Sequence, residues 1–312
     1  MRLTSLFISF MLCVPPAFAA CEGVSISEGI YGDPVCVPAD PQRIVTLEPW
    51  LSLGTLVELD ASVVGVPFLG IQDEGLRDHA AAASVADIGH PMQPSLERII
   101  ALQPDLIIGS TYIHEQIYGK LSDVAPTLLL DQMGWKEHYL LLAKVVGRLE
   151  DALESLAAYE RRVQAIRERI PDGLKVSVVR VARQGFQVYL DGPGAYAPYQ
   201  VLSEAGVRRT NYETTLDDAM VKRPDWEELS ALDGDILLYV VAGGMDPGLD
   251  ERLATETSGN PLWQILPAVE ASRAFRIDRS TWMGFHGLAS ANRVLDDIEK
   301  YILADPSTGK EP

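Results

Sequence analysis

Residues 94–108 read PSLERIIALQPDLII and residues 224–238 read PDWEELSALDGDILL, so Pro, Glu, Ala, Leu and Asp recur at a constant offset of 130. A chain that repeats at this distance is constrained to build two units of similar design rather than one large core. In each copy the spacing predicts an amphipathic helix of about two turns, a turn, and an apolar run of strand length. The runs Leu106-Ile107-Ile108 and Ile236-Leu237-Leu238 show no polar alternation, which predicts strands buried on both faces. Each unit also opens on a strand, Arg43-Ile44-Val45-Thr46-Leu47 in the first and Lys175-Val176-Ser177-Val178-Val179 in the second.

Between the copies, residues 135–170 carry Leu, Val and Ala at helical spacing with many Glu and Arg, and Gly147 is expected to break that helix. The later piece, from Glu150 to Ile170, would be about 30 Å long at 1.5 Å per residue, enough to cross from one unit to the other. Pro171-Asp172-Gly173 then ends it. The expected architecture is therefore two Rossmann-like α/β lobes, residues 21–134 and 173–312, joined by a long helix within residues 135–172. A cleft between lobes is the usual place for a ligand.

The first twenty residues read as a cleaved export signal: Arg2, an apolar core from Leu6 to Val14, and Ala17-Phe18-Ala19 as the processing site. That apolar stretch is too short for a permanent anchor, and no later run approaches twenty residues, so a soluble exported protein is expected. Cleavage after Ala19 or Ala20 leaves Cys21 at or beside the new terminus. Phe18 stands where a lipidation signal wants an aliphatic residue. A disulfide from Cys21 to Cys36, the other cysteine of the mature chain, is expected in preference to a lipid anchor. The net charge of −18, one unit more negative without Arg2, argues against nucleic acid or an anionic membrane as partner.

Chemistry-bearing motifs are sparse. The five histidines, at 79, 90, 114, 138 and 286, have no paired spacing; a metal site would require His90, His114 and His286 to converge. Residues 192–197 fit G-x-G-x-x-A, yet Pro193 sits inside the turn and the βαβ setting of a dinucleotide fingerprint is missing. No G-x-S-x-G elbow or phosphate-binding G-x-x-x-x-G-K-[ST] loop occurs, so hydrolysis and phosphoryl transfer have no support and no catalytic residue is expected.

The order of Pro41-Gln42-Arg43-Ile44-Val45, residues 95–108, Asp123-Val124-Ala125-Pro126-Thr127, Val178-Val179-Arg180, and NPLWQILPAVEASRAFRID at residues 260–278 followed by Thr281-Trp282-Met283 resembles the periplasmic binding proteins of ferric-siderophore ABC importers, the branch with a rigid inter-lobe helix. The resemblance implies a ligand held between the lobes and a glutamate from each lobe docking on arginines of a dimeric inner-membrane permease. Glu97 and Glu227 occupy equivalent places in the repeat and are the docking pair it singles out. A plain complement to a helix dipole is the alternative reading of both.

The resemblance places Arg180 and Trp282 first among ligand contacts, although an arginine after a strand also serves as an edge residue and a tryptophan as core. Glu48, Trp50, Tyr112, Tyr196, Tyr239 and His286 follow because they stand at expected strand ends or in the last loop. For Glu48 a helix cap is the competing role. Phe285-His286 departs from the small polar residues usual there. The function so implied is capture of an iron(III)-siderophore, with a slight preference for a hydroxamate, by a monomer without a cofactor or direct metal ligands. Corrinoid or haem is the alternative ligand, and an exported enzyme with an unrecognised site is the alternative of another class.

Overall fold

The computed structural model describes residues 21–71, 73–244 and 247–304, so the expected export signal lies outside the described residues. Two five-stranded sheets form the frame. In the first lobe the order is Ala86–Asp87, Val63–Val66, Ile44–Thr46, Leu106–Ser110, Thr127–Leu130, with every pair parallel. Numbered along the chain, this is the 3-2-1-4-5 order of a Rossmann-type sheet. The second lobe repeats it as Val221–Lys222, Gly185–Tyr189, Val176–Ala182, Ile236–Val241, Ala274–Arg276. One strand departs from the alternating α/β pattern: Gly185–Tyr189 turns back on Val176–Ala182 and pairs antiparallel, with Arg180 opposite Gln187.

The repeated segments take the same place in both sheets, beside the first strand of each lobe. Their shared aspartates explain why. Asp105 accepts from the backbone N–H groups of Gln42 and Arg43 at 2.7 and 2.9 Å, and Asp235 accepts from that of Lys175 at 2.8 Å. Each carboxylate thus fixes where the first strand of its lobe begins. The helices are less alike. The first copy forms an α-helix, Leu96–Ala101, capped by Ser95, whereas the second forms only a 3-10 turn, Glu228–Ala231. The expected two-turn helix is there a single 3-10 turn, in which Ser230 donates its hydroxyl to the Glu227 carbonyl at 2.8 Å.

Gly147 breaks the intervening helix as expected: it has φ +71° between Trp135–Val145 and Leu149–Arg167. The second piece is clamped to the C-terminal helix Leu288–Asp297 and the residues after it. Arg162 donates to Asp296 and Glu299 at 2.5 and 2.7 Å, and Arg169 to Glu299 at 2.8 Å. One continuous apolar core runs from Ile44 and Leu106 of the first sheet, through Trp135 and Tyr159, to Val176 and Val178 of the second. Lobes that share a core and a helical strut resist hinge bending.

At the N-terminus the strands Val24–Ile26 and Val35–Val37 pair as a hairpin, and a disulfide joins Cys21 to Cys36. Closing this loop stabilises by about 3 kcal/mol on the loop-entropy account. Behind the hairpin, Tyr31 N–H donates to Leu129 O at 2.9 Å and Asp131 N–H to Gly29 O at 3.0 Å, which covers the outer strand of the first sheet. No helix among the described residues is long and apolar enough to cross a membrane.

Candidate functional site

In a sheet of this order the strands on either side of the order reversal diverge at their C-terminal ends, leaving a crevice. In the first lobe that point lies between Ile44–Thr46 and Leu106–Ser110, the strands that lead into Trp50 and Tyr112. In the second it lies between Val176–Ala182 and Ile236–Val241, where Arg180 is half-buried and donates Nη2 and Nε to the Ala242 carbonyl at 2.8 and 3.2 Å. Its Nη1 reaches Gln187 Oε1 at 3.1 Å and the Tyr189 hydroxyl at 3.5 Å. Tyr196 packs beside Tyr189 at 5.6 Å, and its hydroxyl engages the Phe285 backbone. Arg180, Gln187, Tyr189 and Tyr196 therefore form one polar group. Sequence reasoning missed Gln187 and Tyr189; the Arg183-Gln184-Gly185 turn, which folds the strand back, was the available signal.

The C-terminal segment closes the floor between the lobes. His286 Nδ1 donates to the Trp50 carbonyl at 3.1 Å, Thr55 donates to the His286 carbonyl at 2.8 Å, and Ala289 N–H donates to Glu58 at 3.0 Å. Gly54 is required here, since a Cβ at that position would stand 2.3 Å from that of His286. His286 is thus a buried pin between the lobes, and burial lowers its pKa.

Packing gives three further candidates structural roles, for Glu48 and Trp282 the competing ones named above. Trp282 is 0% exposed; it stands edge-on to Tyr199 and donates its indole N–H to Asp297 at 2.7 Å, so it belongs to the core. Tyr239 pairs with Val179, and Arg180 with Val240, which puts the tyrosine on the opposite face of the sheet, against Trp263 at 5.2 Å. Glu48 is buried and caps the helical turn Pro49–Leu53, accepting from Trp50 N–H and Leu51 N–H at 2.9 Å and from Ser52 Oγ at 3.1 Å. Trp50 is half-buried and Tyr112 exposed, both at the strand-end edge. Glu97 and Glu227 are exposed on their two lobes, each two residues beyond a capping side chain, Ser95 or Asp225. The histidines weighed as metal ligands engage backbone instead: His90 Nδ1 accepts from Met92 N–H at 3.1 Å, and His114 accepts from Ser110 N–H at 3.1 Å while donating to Pro91 O at 2.9 Å.

Burial raises the Glu48 carboxyl from its ordinary value near 4.5 to about 7, against the opposing pull of the N–H groups it accepts from. The folded chain keeps this proton through a range in which the unfolded chain has released it. Stability from this group is therefore present at low pH and is lost as pH rises from about 4.5 to about 7, by about 3 kcal/mol. Glu48→Gln is expected to abolish that loss. Urea denaturation of wild type and variant at pH 4.5 and 8 checks it, and the difference between the two proteins cancels the opposite contributions of His114, His138 and His286, whose pKa values burial lowers. Parallel curves for the two proteins would show that Glu48 is ionised throughout.

Two Rossmann-type lobes on a helical strut, each with a crevice at its strand ends, define a two-lobed α/β fold. The comparisons place it: the sequence profile of the periplasmic binding protein family matches residues 44–281, and the chain belongs to that family. It is 29% identical over 282 residues to the probable siderophore-binding lipoprotein YfiY of Bacillus subtilis, covering 86% of this chain and 84% of that one. It is 27% identical over 318 residues to the Fe(3+) dicitrate-binding periplasmic protein FecB of Escherichia coli, covering 97% of each. The fold is shared with Staphylococcus aureus SirA complexed with staphyloferrin B, at a TM-score of 0.72 and 22% identity over 89% of this chain and 98% of that one.

Proposed function

We propose that the chain is an exported receptor that captures a ferric siderophore between its lobes and hands it to a dimeric ABC importer, catalysing nothing itself. The observation that carries this is the pair of strand-end crevices, one holding the half-buried Arg180 and the other Trp50 and Tyr112, in a chain whose relatives include siderophore and ferric dicitrate binders. Arg180, with Tyr196 beside it, is suited to the oxygen-rich surface of a ferric chelate, and Trp50 and Tyr112 to its rim. The lobes divide at residues 134 and 172 in this reading, and the protein acts as a periplasmic monomer. The disulfide at Cys21 supports release from a cleaved signal over anchoring by lipid.

Titration of the mature protein with ferric hydroxamates, ferric catecholates, ferric citrate, haem and cobalamin, followed by tryptophan fluorescence, tests the ligand. Saturable quenching by at least one iron chelate is expected, and silence toward all of them overturns the reading. For delivery, Glu97→Lys with Glu227→Lys is expected to leave chelate affinity intact and to lower uptake about tenfold or more, since opposed charges set complex formation. Loss of chelate binding in that double variant would remove both residues from the docking role.

A further inference from the structure

Large apolar side chains exposed on a protein surface carry information when they are contiguous. Among the described residues eleven are exposed, and five of them, Leu51, Phe68, Leu69, Met92 and Tyr112, sit beyond the C-terminal ends of four neighbouring strands of the first lobe. Leu51 follows Ile44–Thr46, Phe68 and Leu69 follow Val63–Val66, Met92 follows Ala86–Asp87, and Tyr112 follows Leu106–Ser110. The loops that bear them are tied together. The Trp50 indole lies against Gly70, where a Cβ would come within 2.8 Å of its nitrogen; Phe68 N–H donates to Asp87 at 3.1 Å; and His114 joins Pro91 to the loop of Tyr112. Every inner strand end of this lobe thus leads into at least one of these side chains, along one edge of the sheet.

The second lobe presents a different surface at its own strand ends. There the Arg180 guanidinium donates to Gln187 Oε1 and the Tyr189 hydroxyl, and the amide of Gln187 and the hydroxyls of Tyr189 and Tyr196 add further groups able to donate. His286 donates to the Trp50 carbonyl, and Phe285 beside it engages the Tyr196 hydroxyl, so one segment of the chain touches both edges. A ligand filling the space between them meets hydrogen-bond donors on one side and hydrocarbon on the other. An all-polar chelate would desolvate its oxygens against the rim without compensation, whereas an aryl or long alkyl flank would gain from burial.

Resting on the reading of the chain as a ferric-chelate receptor, we infer that its ligand is an amphipathic iron complex: oxygen donors around the metal turned to the Arg180 cluster, and an apolar flank seated on the rim of Leu51, Phe68, Leu69, Met92 and Tyr112. The inference concerns the flank and is independent of which oxygen chemistry holds the iron.

The test uses two iron complexes with identical donors, ferric tris-acetohydroxamate and ferric tris-benzohydroxamate, with ferric citrate as the all-polar reference, each in ligand excess. The benzohydroxamate complex is expected to bind about tenfold or more tightly than the acetohydroxamate complex, the gain from burying one ring face. In Phe68→Ser with Leu69→Ser that ratio is expected to fall toward unity; both side chains are exposed, and an unchanged Tm confirms that the variant folds. Equal affinity for the two hydroxamates, or citrate bound more tightly than either, overturns the inference while leaving the receptor reading intact. Silence toward all three and toward the natural chelates removes the receptor reading itself. If the double variant keeps its ratio but loses uptake, the rim is a permease contact and the inference fails.

Discussion

Glu213→Ala is expected to cost about 3–5 kcal/mol of folding stability, the usual result of removing one partner of a buried ion pair. Arg209 and Glu213 pair inside the second lobe with side-chain exposures of 1% and 0%. The glutamate also accepts from Val178 N–H and from Thr210 Oγ, both at 2.8 Å, while Arg209 donates to Val176 O at 3.1 Å and stacks over Tyr199 at 5.3 Å. Alanine would leave a guanidinium uncompensated and a strand N–H without an acceptor. Glu213→Gln, which keeps an acceptor for Val178, should cost less. The double change Arg209→Met with Glu213→Leu should recover the part of the loss that comes from the unpaired charge, while Val178 N–H still lacks its acceptor. Urea denaturation of the four proteins measures this. A cost below about 1 kcal/mol for the alanine variant would mean that water reaches the pair. The consequence for function is positional. The pair grips Val176 and Val178, and Arg180 lies two residues further along the same strand, so a strand that shifts at its base misplaces the guanidinium at the crevice.

That chain of dependence explains which parts were legible in the sequence. The repeat at offset 130 revealed the two lobes because its shared residues do local work: Asp105 and Asp235 each bond to the backbone that opens the neighbouring strand. Gly147 was legible for the same reason, as a break that depends on its own backbone. The reversed direction of the strand Gly185–Tyr189 was not legible, since a short extended run reads alike in parallel and antiparallel sheets. Residues at strand ends misled where register decides the face. Tyr239 and Arg180 both stand at the proper end of the second sheet, yet the pairing of Val179 with Tyr239 sets them on opposite sides of it. His286 misled for a further reason: its ring is claimed by the Trp50 carbonyl, and a single sequence does not disclose a bond that spans 236 residues. The cap made by Glu48 is local to its own turn, and for that reason it was legible as the competing role.

Trp282→Ala is expected to destabilise the protein by about 3–5 kcal/mol, the range for emptying a large aromatic site in a packed core. The resemblance to siderophore receptors placed this residue among the first ligand contacts; the packing gives it another task. It joins the last short helix, Arg279–Met283, to Tyr199 of the helix Ala197–Glu204 and, through its indole N–H, to Asp297 of the C-terminal helix. Burial raises the Asp297 carboxyl above its ordinary value, and the indole donor is what opposes that shift most. Removing the donor leaves the carboxyl buried without it, so Asp297 should hold its proton to still higher pH, and the cost of the substitution should grow as pH rises through the range where Asp297 ionises. Trp282→Phe keeps most of the volume and loses the hydrogen bond, and should cost about 1–3 kcal/mol with the same pH trend. Chelate affinity, measured well below the melting temperature of each variant, should stay within about threefold of wild type, because 0% of the ring is open to a ligand. A phenylalanine variant of undiminished stability that had lost tenfold or more in affinity would return Trp282 to the binding surface, and would require that the last loop open when the ligand arrives.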